Sequence, residues 1–140
     1  MKLHDYKTEE NIAWIILDNP KKRNALSLAL MSEIQKVLSK ISKNENIKVL
    51  IIKSNGPSFC VGHDINELVG KEYGLDYFRK IFYKCTDLMN ELNQIPQIVV
   101  AQVQGAAFAA GCQLVSTCDL AVAEENARFC TPGVKIGLFC

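Results

Sequence analysis

The chain has 140 residues, of which 49% are hydrophobic and 22% are charged, so it can bury one sizeable core and is not a disordered segment. Its 16 basic and 15 acidic residues leave a net charge of +1 and form no basic face, which argues against a nucleic-acid partner. The longest apolar run, from Ile95 to Val103, contains Pro96 and two glutamines, so it is too short and too polar to span a bilayer.

The first half of the chain alternates between strand and helix patterns. Ile12 to Leu17 (IAWIIL) is rich in β-branched residues and precedes an Asp-Asn-Pro turn, which predicts a strand. From Ser27, a suitable N-cap, apolar residues recur at helical spacing as far as Ile41 and predict an amphipathic helix. Val49 to Ile52 (VLII) predicts a second strand, which is followed by the loop NGPSFCVG.

The second half continues the same alternation. A long amphipathic helix is predicted from Leu75 to Ile95, where Pro96 stops it. The next three predicted elements are a strand, a short helix and a strand, at Ile98 to Val103, Gly111 to Cys118 and Leu120 to Ala123. Apolar strands that alternate with helices predict one α/β domain over residues 1–140. Its sheet would be mostly parallel or a β-β-α spiral, covered on both sides.

The six cysteines are spaced irregularly among apolar neighbours, which predicts buried, reduced thiols. One fragment, Cys60-x-x-His63, resembles part of a metal site. Zinc needs three or four protein ligands and no second pair of ligands follows, so no metal site is predicted.

The segment GAAFAAG, residues 105–111, offers a backbone with few side-chain atoms between a predicted strand and a predicted helix. It lacks the Lys-Ser/Thr of a P-loop and is not G-x-G-x-x-G, so a nucleotide-binding Rossmann domain is the weaker α/β interpretation. Spacing alone leaves two interpretations of the small residues. They expose helix N–H groups to an oxyanion, or they only allow the helix to pack tightly on the sheet.

Four longer segments occur together in the order and spacing of a known family: NPKKRNALS, GPSFCVGHDINEL, VQGAAFAAGCQLVSTCDLAVA and ARFCTPGVKIGL. On these motifs the chain, from Ile12 onward, resembles the crotonase superfamily and within it the enoyl-CoA hydratase/isomerase family. The resemblance implies a ClpP/crotonase-like β-β-α spiral, here its N-terminal core without the C-terminal trimerisation helices. It also implies a homotrimer or hexamer for a full-length form.

The same resemblance implies a site for an acyl-CoA thioester, with coenzyme A as part of the substrate and no separate cofactor. The backbone N–H groups of His63 and Ala110 would hold the thioester oxygen while an enolate forms. Arg23 would meet a CoA phosphate, or it is a solvated surface charge. Three residues would line the adenine and pantetheine side of CoA: Asp64, Ile65 and Asn66.

Hydratases of this family carry glutamates at the positions of Gln113 and Gly133. Here Gln113, which stands in an apolar run and is expected to be buried, is a neutral amide, and Gly133 has no side chain. An amide cannot accept a proton near neutral pH, so water addition by two carboxylates is not expected. The imidazole of His63 is an alternative acid or base, unless it points away and only its backbone acts.

The resemblance therefore leaves three functions open. The first is an enzyme of the lyase or isomerase class in fatty acid metabolism, with altered chemistry around a stabilised enolate. The second is a decarboxylase of malonyl-type CoA esters, a reaction that needs no base. The third is a non-catalytic module that binds acyl-CoA or regulates by binding it.

The first ten residues, MKLHDYKTEE, mix both charges and match neither a secretory signal nor a transit peptide. We therefore expect a protein of the cytoplasm, or of the mitochondrial matrix if a presequence has been removed, without a membrane partner.

Overall fold

The computed structural model describes residues 4–69 and 74–137. Within these residues the chain alternates short strands with three α-helices. The strands are β1 (His4–Glu9), β2 (Ile12–Leu17), β3 (Val49–Ser54), β4 (Ser58–Cys60), β5 (Ile98–Val103), β6 (Ala106–Phe108), β7 (Leu120–Ala123) and β8 (Arg128–Cys130). The helices are α1 (Leu28–Ile41), α2 (Leu75–Gln94) and α3 (Ala110–Thr117), with 3-10 turns at Pro20–Lys22, Ile65–Glu67 and Pro132–Ile136.

The strands form two sheets. The larger sheet has the order β1-β2-β3-β5-β7, in which β1 is antiparallel to β2 and the other pairs are parallel. The smaller sheet has the order β4-β6-β8 and is parallel. The first turn places β1 and β2 in the larger sheet before α1. The next two turns each add a strand to the larger sheet, then one to the smaller sheet, then a helix, and β7 and β8 continue the same order. The predicted β-β-α spiral is thus confirmed.

The two long helices follow the predicted pattern closely. At the start of α1 the hydroxyl of Ser27 accepts a hydrogen bond from the N–H of Leu30 at 3.1 Å, which caps the helix. Helix α2 ends one residue before Ile95, whose extended backbone is the conformation favoured before proline. The apolar faces of α1 and α2 pack on each other, and their buried residues belong to one continuous core with those of the strands.

Four strands were not predicted from the sequence. The strands of the smaller sheet have three residues each and lie in segments whose glycine and small residues indicate loops. Strand β1 contains several charged residues, and it lies at the edge of the larger sheet, where it pairs with β2. These strands exist because their partners are supplied by distant parts of the chain, which a local pattern does not report.

The expectation that the strands are covered on both faces is wrong for part of the larger sheet. Strand β5 alternates buried and exposed positions, and all four residues of β7 are exposed. Leu120 and Val122 are 60% and 65% exposed because β7 is the edge strand and no described residue covers its outer face. Among the described helices, none combines the length and the apolar character that crossing a bilayer requires.

Candidate functional site

The loop that follows β4 meets the start of α3 at very close range. Gly62 has a φ of +98°, and a Cβ atom built on it would lie 2.9 Å from the Cβ of Ala109 and 3.3 Å from the backbone nitrogen of Ala110. Gly111 is equally constrained, because its Cβ would lie 2.1 Å from the carbonyl oxygen of Cys60. A side chain at Gly62 or at Gly111 would clash with these atoms. Glycine at both positions therefore lets the segment from Cys60 to Gly62 lie directly against the start of α3.

The N–H group of His63 is turned away from its neighbouring strand. The Gly62 carbonyl accepts from the N–H of Leu26 at 2.7 Å, and the N–H of Asp64 donates to the Leu26 carbonyl at 3.1 Å. In an extended segment successive N–H groups point in opposite directions, so the His63 N–H lies on the side away from Leu26. No backbone acceptor for it is found among residues 4–69 and 74–137.

The N–H group of Ala110 likewise has no backbone acceptor in the part of the chain that the structure describes. Ala110 is the first residue of α3, where an N–H has no acceptor within its own helix. The preceding residue, Ala109, has φ 49° and ψ −124°, a conformation that L-residues rarely adopt and that costs about 1 to 3 kcal/mol. Its own N–H donates to the Cys130 carbonyl at 2.8 Å, so β8 holds the strained residue in place.

These two amides belong to residues that line one cavity of about 540 Å³ between α2 and α3. The lining residues come from the loop after β4, from both helices and from the segment after β8. They are His63, Phe82, Cys85, Thr86, Ala109, Ala110, Cys112, Gln113, Ser116 and Thr131. None of these ten carries a carboxylate, so the cavity as described has no acidic group for proton transfer.

The side chain of His63 is partly buried against α2. Its ring meets the ring of Phe82 edge to face, with the centroids 5.3 Å apart. The Nδ1 atom is buried and makes no hydrogen bond within the described part of the chain. Burial lowers the pKa of His63, and the nearby backbone of Leu26 only partly offsets this effect, so the imidazole is neutral at pH 7.

The prediction that Gln113 is buried is wrong. The buried face of α3 consists of Ala110, Gly111, Leu114 and Val115, and Gln113 lies outside it, exposed at the cavity. The apolar run suggested burial because most of its residues do pack inward. The helical period places this one position on the open side.

Asp64 is committed to contacts within the protein. It is 5% exposed, and its carboxylate accepts from Lys22 Nζ at 2.6 Å and from the backbone and side-chain nitrogens of Asn66, both at 3.1 Å. Burial would raise the pKa of Asp64, but the hydrogen bonds from Lys22 and Asn66 outweigh it and hold the pKa below its ordinary value. Ile65 and Asn66 are exposed beside it.

Two residues that shape this region, Lys22 and Asn24, are not among the site residues predicted from the sequence. Arg23 is exposed at the end of the 3-10 turn, whereas its neighbour Lys22 makes the ion pair with Asp64. Asn24 is completely buried, and its side chain joins three backbone groups: the Asn19 N–H and the carbonyls of Asn55 and Ser58. The available sequence signal is an asparagine shortly after Pro20, because asparagine is favoured in turns and tolerates the positive φ of 55° found here.

The prediction that the cysteines are buried is correct for only some of them. All five cysteines in the described ranges are free, but Cys130 is exposed, and Cys112 and Cys118 are half-buried. Only Cys60 and Cys85 are buried as expected, and the sixth, Cys140, lies outside the described residues. Within residues 4–69 and 74–137 no cluster of three metal-ligating side chains occurs.

The fold and the four motifs define one class of protein. A family model described as enoyl-CoA hydratase/isomerase matches residues 7–140. The chain belongs to the enoyl-CoA hydratase/isomerase family, and its fold is that of crotonase.

The similar proteins include enoyl-CoA hydratase domain-containing protein 3 of several vertebrates, named as mitochondrial. The human protein is 47% identical over 131 residues, which are 94% of this chain and 43% of the relative. The rat protein is 43% identical over 139 residues, which are 99% of this chain and 46% of the relative. The GHD and GCQLV details of the sequence indicate similarity to this same type, and that prediction is confirmed.

More distant relatives and solved structures agree with this placement. The 2,3-dehydroadipyl-CoA hydratase of Escherichia coli is 32% identical over 130 residues, which are 93% of this chain and 49% of the relative. The crystal structure of human enoyl coenzyme A hydratase domain-containing protein 3 matches with a TM-score of 0.94 at 43% identity, covering 99% of this chain and 55% of that one. A Mycobacterium smegmatis enoyl-CoA hydratase matches with a TM-score of 0.95 at 37% identity, covering 100% and 55%. The chain spans about half the length of these relatives.

Proposed function

We propose that this chain binds acyl-CoA thioesters and places the thioester oxygen between the backbone N–H groups of His63 and Ala110. The observation that carries the proposal is the close approach of Gly62 to Ala110. His63 and Ala110 line one cavity, and neither backbone N–H has a backbone acceptor among the described residues, which supports the proposal. Preorganised donors of this kind act on the charge that develops as a thioester becomes an enolate. Each is typically worth about 3 to 4 kcal/mol of barrier.

The CoA moiety would lie along the loop that follows His63. Ile65 and Asn66 are exposed there, and the ion pair between Lys22 and Asp64 joins this loop to the turn that carries Arg23. Because Arg23 is exposed and always charged, it is available to a CoA phosphate at the same edge of the molecule. Asp64 would contribute by positioning the loop, since its carboxylate is already occupied.

Direct titration calorimetry tests this binding. We expect acetyl-CoA and free CoA both to bind, with acetyl-CoA the tighter, and the Arg23→Ala variant to weaken both equally. Lys21→Ala is the matched control, because Lys21 is an exposed cation in the same turn without a proposed contact. If neither acetyl-CoA nor free CoA gives binding heat, the proposal is contradicted.

The reaction would use the enolate without a carboxylate base. By the family resemblance, Gln113 at the cavity and Gly133 in the turn after β8 stand where hydratases carry glutamates. None of the ten lining residues carries a carboxylate. Decarboxylation of a malonyl-type CoA ester fits this inventory. The bond to the departing CO₂ breaks, its electron pair enters the enolate held by the two amides, and a solvent proton completes the product.

The same absence of carboxylates favours a second candidate, a module that binds acyl-CoA without turning it over. Assays of malonyl-CoA decarboxylation and crotonyl-CoA hydration separate the two. Turnover of malonyl-CoA by the parent chain excludes the binding module, whereas binding without turnover of either ester excludes the enzyme. A Gln113→Glu, Gly133→Glu double variant that gains hydration would assign the loss of that reaction to these positions.

We propose the mitochondrial matrix rather than the cytoplasm as the compartment, because the vertebrate relatives at 42% to 48% identity are named as mitochondrial. Fractionation of cells that express the natural gene, with a matrix marker, tests this. Recovery in the cytosolic fraction alone contradicts it.

A further inference from the structure

The cavity combines a nucleophile with donors for an oxyanion. Its ten lining residues include two thiols, Cys85 and Cys112, and one imidazole, His63, but no carboxylate. The groups available beside the unused amides are therefore those of nucleophilic catalysis rather than those of paired-carboxylate catalysis. A thiol at this place has a natural reaction partner, since the proposed ligand is itself a thioester.

The thiols around the cavity differ in availability. Cys85 is 3% exposed, and burial raises its pKa to about 11, so it stays protonated. Cys60 lies under Gly111 and is completely buried, with its pKa raised to about 12 by burial. Cys112 is half-buried and lines the cavity, two residues after Ala110 in the first turn of α3. Within the described residues, Cys112 alone is both in the cavity and partly open.

We propose that Cys112 accepts the acyl group of a bound acyl-CoA, giving an S-acyl cysteine and free CoA. The Cys112 sulfur forms a bond to the thioester carbonyl carbon, and the bond from that carbon to the CoA sulfur breaks. The thiol proton ends on the departing CoA thiolate, so one thioester is exchanged for another without an oxidant or a further reactant. This inference rests on the proposed function, because it uses the same ligand and the same two amides.

The surroundings of Cys112 suit each stage of this exchange. The tetrahedral intermediate carries its negative charge on the oxygen that faces the N–H groups of His63 and Ala110. The His63 imidazole is the one basic side chain among the ten lining residues, and the thiol proton ends on the CoA thiolate.

Mass spectrometry of the 140-residue chain after incubation with acetyl-CoA tests the proposal. We expect one acetyl group per chain, an equal amount of released CoA, and loss of the adduct in neutral hydroxylamine, which cleaves thioesters. Trypsin leaves Cys85, Cys112 and Cys118 in one peptide, 85–128, so the site must be assigned by fragmentation of that peptide. Acetyl-CoA is preferred to crotonyl-CoA because it cannot undergo conjugate addition.

Matched variants separate a built site from general thiol reactivity. Cys112→Ser is expected to lose the adduct, and Cys112→Ala serves as a second variant if the first fails to fold. Cys130→Ser removes an exposed thiol that does not line the cavity and is expected to retain the adduct. An Ala110→Pro variant, which removes one amide hydrogen, is expected to acylate more slowly while its Cys112 still reacts with iodoacetamide at the parent rate.

Each outcome decides the question. Acetylation that is equal on Cys112 and Cys130, or that survives in the Cys112 variants, overturns the proposal. So does the absence of an adduct when calorimetry shows that acetyl-CoA binds, and in that case the proposed function stands alone. Absence of both binding and adduct overturns the two proposals together.

Discussion

The start of α3, at Ala109 to Gly111, and Gln113, further along the same helix, differ sharply in how firmly the structure constrains them. At the first turn, Gly111 lies against the Cys60 carbonyl, and Ala109 is held in a strained conformation by β8. At Gln113 the side chain is exposed and makes no contact that the core requires. Close packing therefore fixes the backbone at the start of α3, whereas the exposed side chain of Gln113 can change without harm to the fold.

The largest expected effect comes from adding one methyl group at the constrained turn. Gly111→Ala places a Cβ against the backbone of Cys60, which cannot move aside, and is expected to lower the free energy of unfolding by about 3 kcal/mol. The control is Gly74→Ala, where no atom lies within 4 Å and the loss should stay below about 1 kcal/mol. Urea unfolding followed by circular dichroism measures both, and equal losses would remove the contrast between the two regions.

Removing the Ala110 amide hydrogen is expected to have the next largest effect. Proline is tolerated at the first position of a helix, so Ala110→Pro deletes a donor at a place where the helix does not need it. We expect acetyl-CoA binding to weaken by about 1 kcal/mol, with free CoA unaffected. Ala110→Ser changes the side chain but keeps the amide, and calorimetry should find it unchanged. A matching loss of CoA affinity in Ala110→Pro would point to a distorted loop instead.

A smaller effect is expected at acid pH from the ion pair between Lys22 and Asp64, which joins the loop after His63 to the 3-10 turn at Pro20–Lys22. The folded-state pKa of Asp64 lies below its ordinary value of 3.8, so its contribution to stability is present above about pH 4 and is lost as the pH falls through the folded-state pKa. Lys22→Met removes the donor and should move the acid unfolding midpoint to higher pH. Lys21→Met, which changes an exposed cation without that contact, should leave the midpoint in place. An acid titration followed by circular dichroism compares them.

The smallest effect on stability is expected at Gln113 itself. Because the side chain is exposed, Gln113→Glu should change the free energy of unfolding by less than about 0.5 kcal/mol. Thermal unfolding with Leu114→Ala as the contrast measures this, since Leu114 is 1% exposed on the same helix and its truncation should cost about 2 to 5 kcal/mol. A large loss in Gln113→Glu would mean that this position is part of the packed turn after all.

Much of the fold could be predicted from the residues, but the candidate site only in part. The apolar period of α1 and α2 and the β-branched run of β2 carry their own structure, so these elements lie within a few residues of their predicted bounds. The exposure of Gln113 was predicted wrongly, because an apolar neighbourhood in sequence does not say which side of a short helix faces a cavity. The role of Asn24 was missed because two of its three partners, Asn55 and Ser58, lie more than 30 residues away in the chain.

The sequence by itself determined the alternation of strands and helices, the family, and the neutral amide at Gln113, because periodicity, motif order and residue identity are local properties. Only the tertiary structure decided the smaller sheet, the pairing of Lys22 with Asp64 across 42 residues, and the exposed outer face of β7. It also decided that a half-buried thiol, Cys112, lines the same cavity as His63 and Ala110. These features depend on which distant segments meet, and that is settled by the burial of the whole core rather than by any stretch of residues alone.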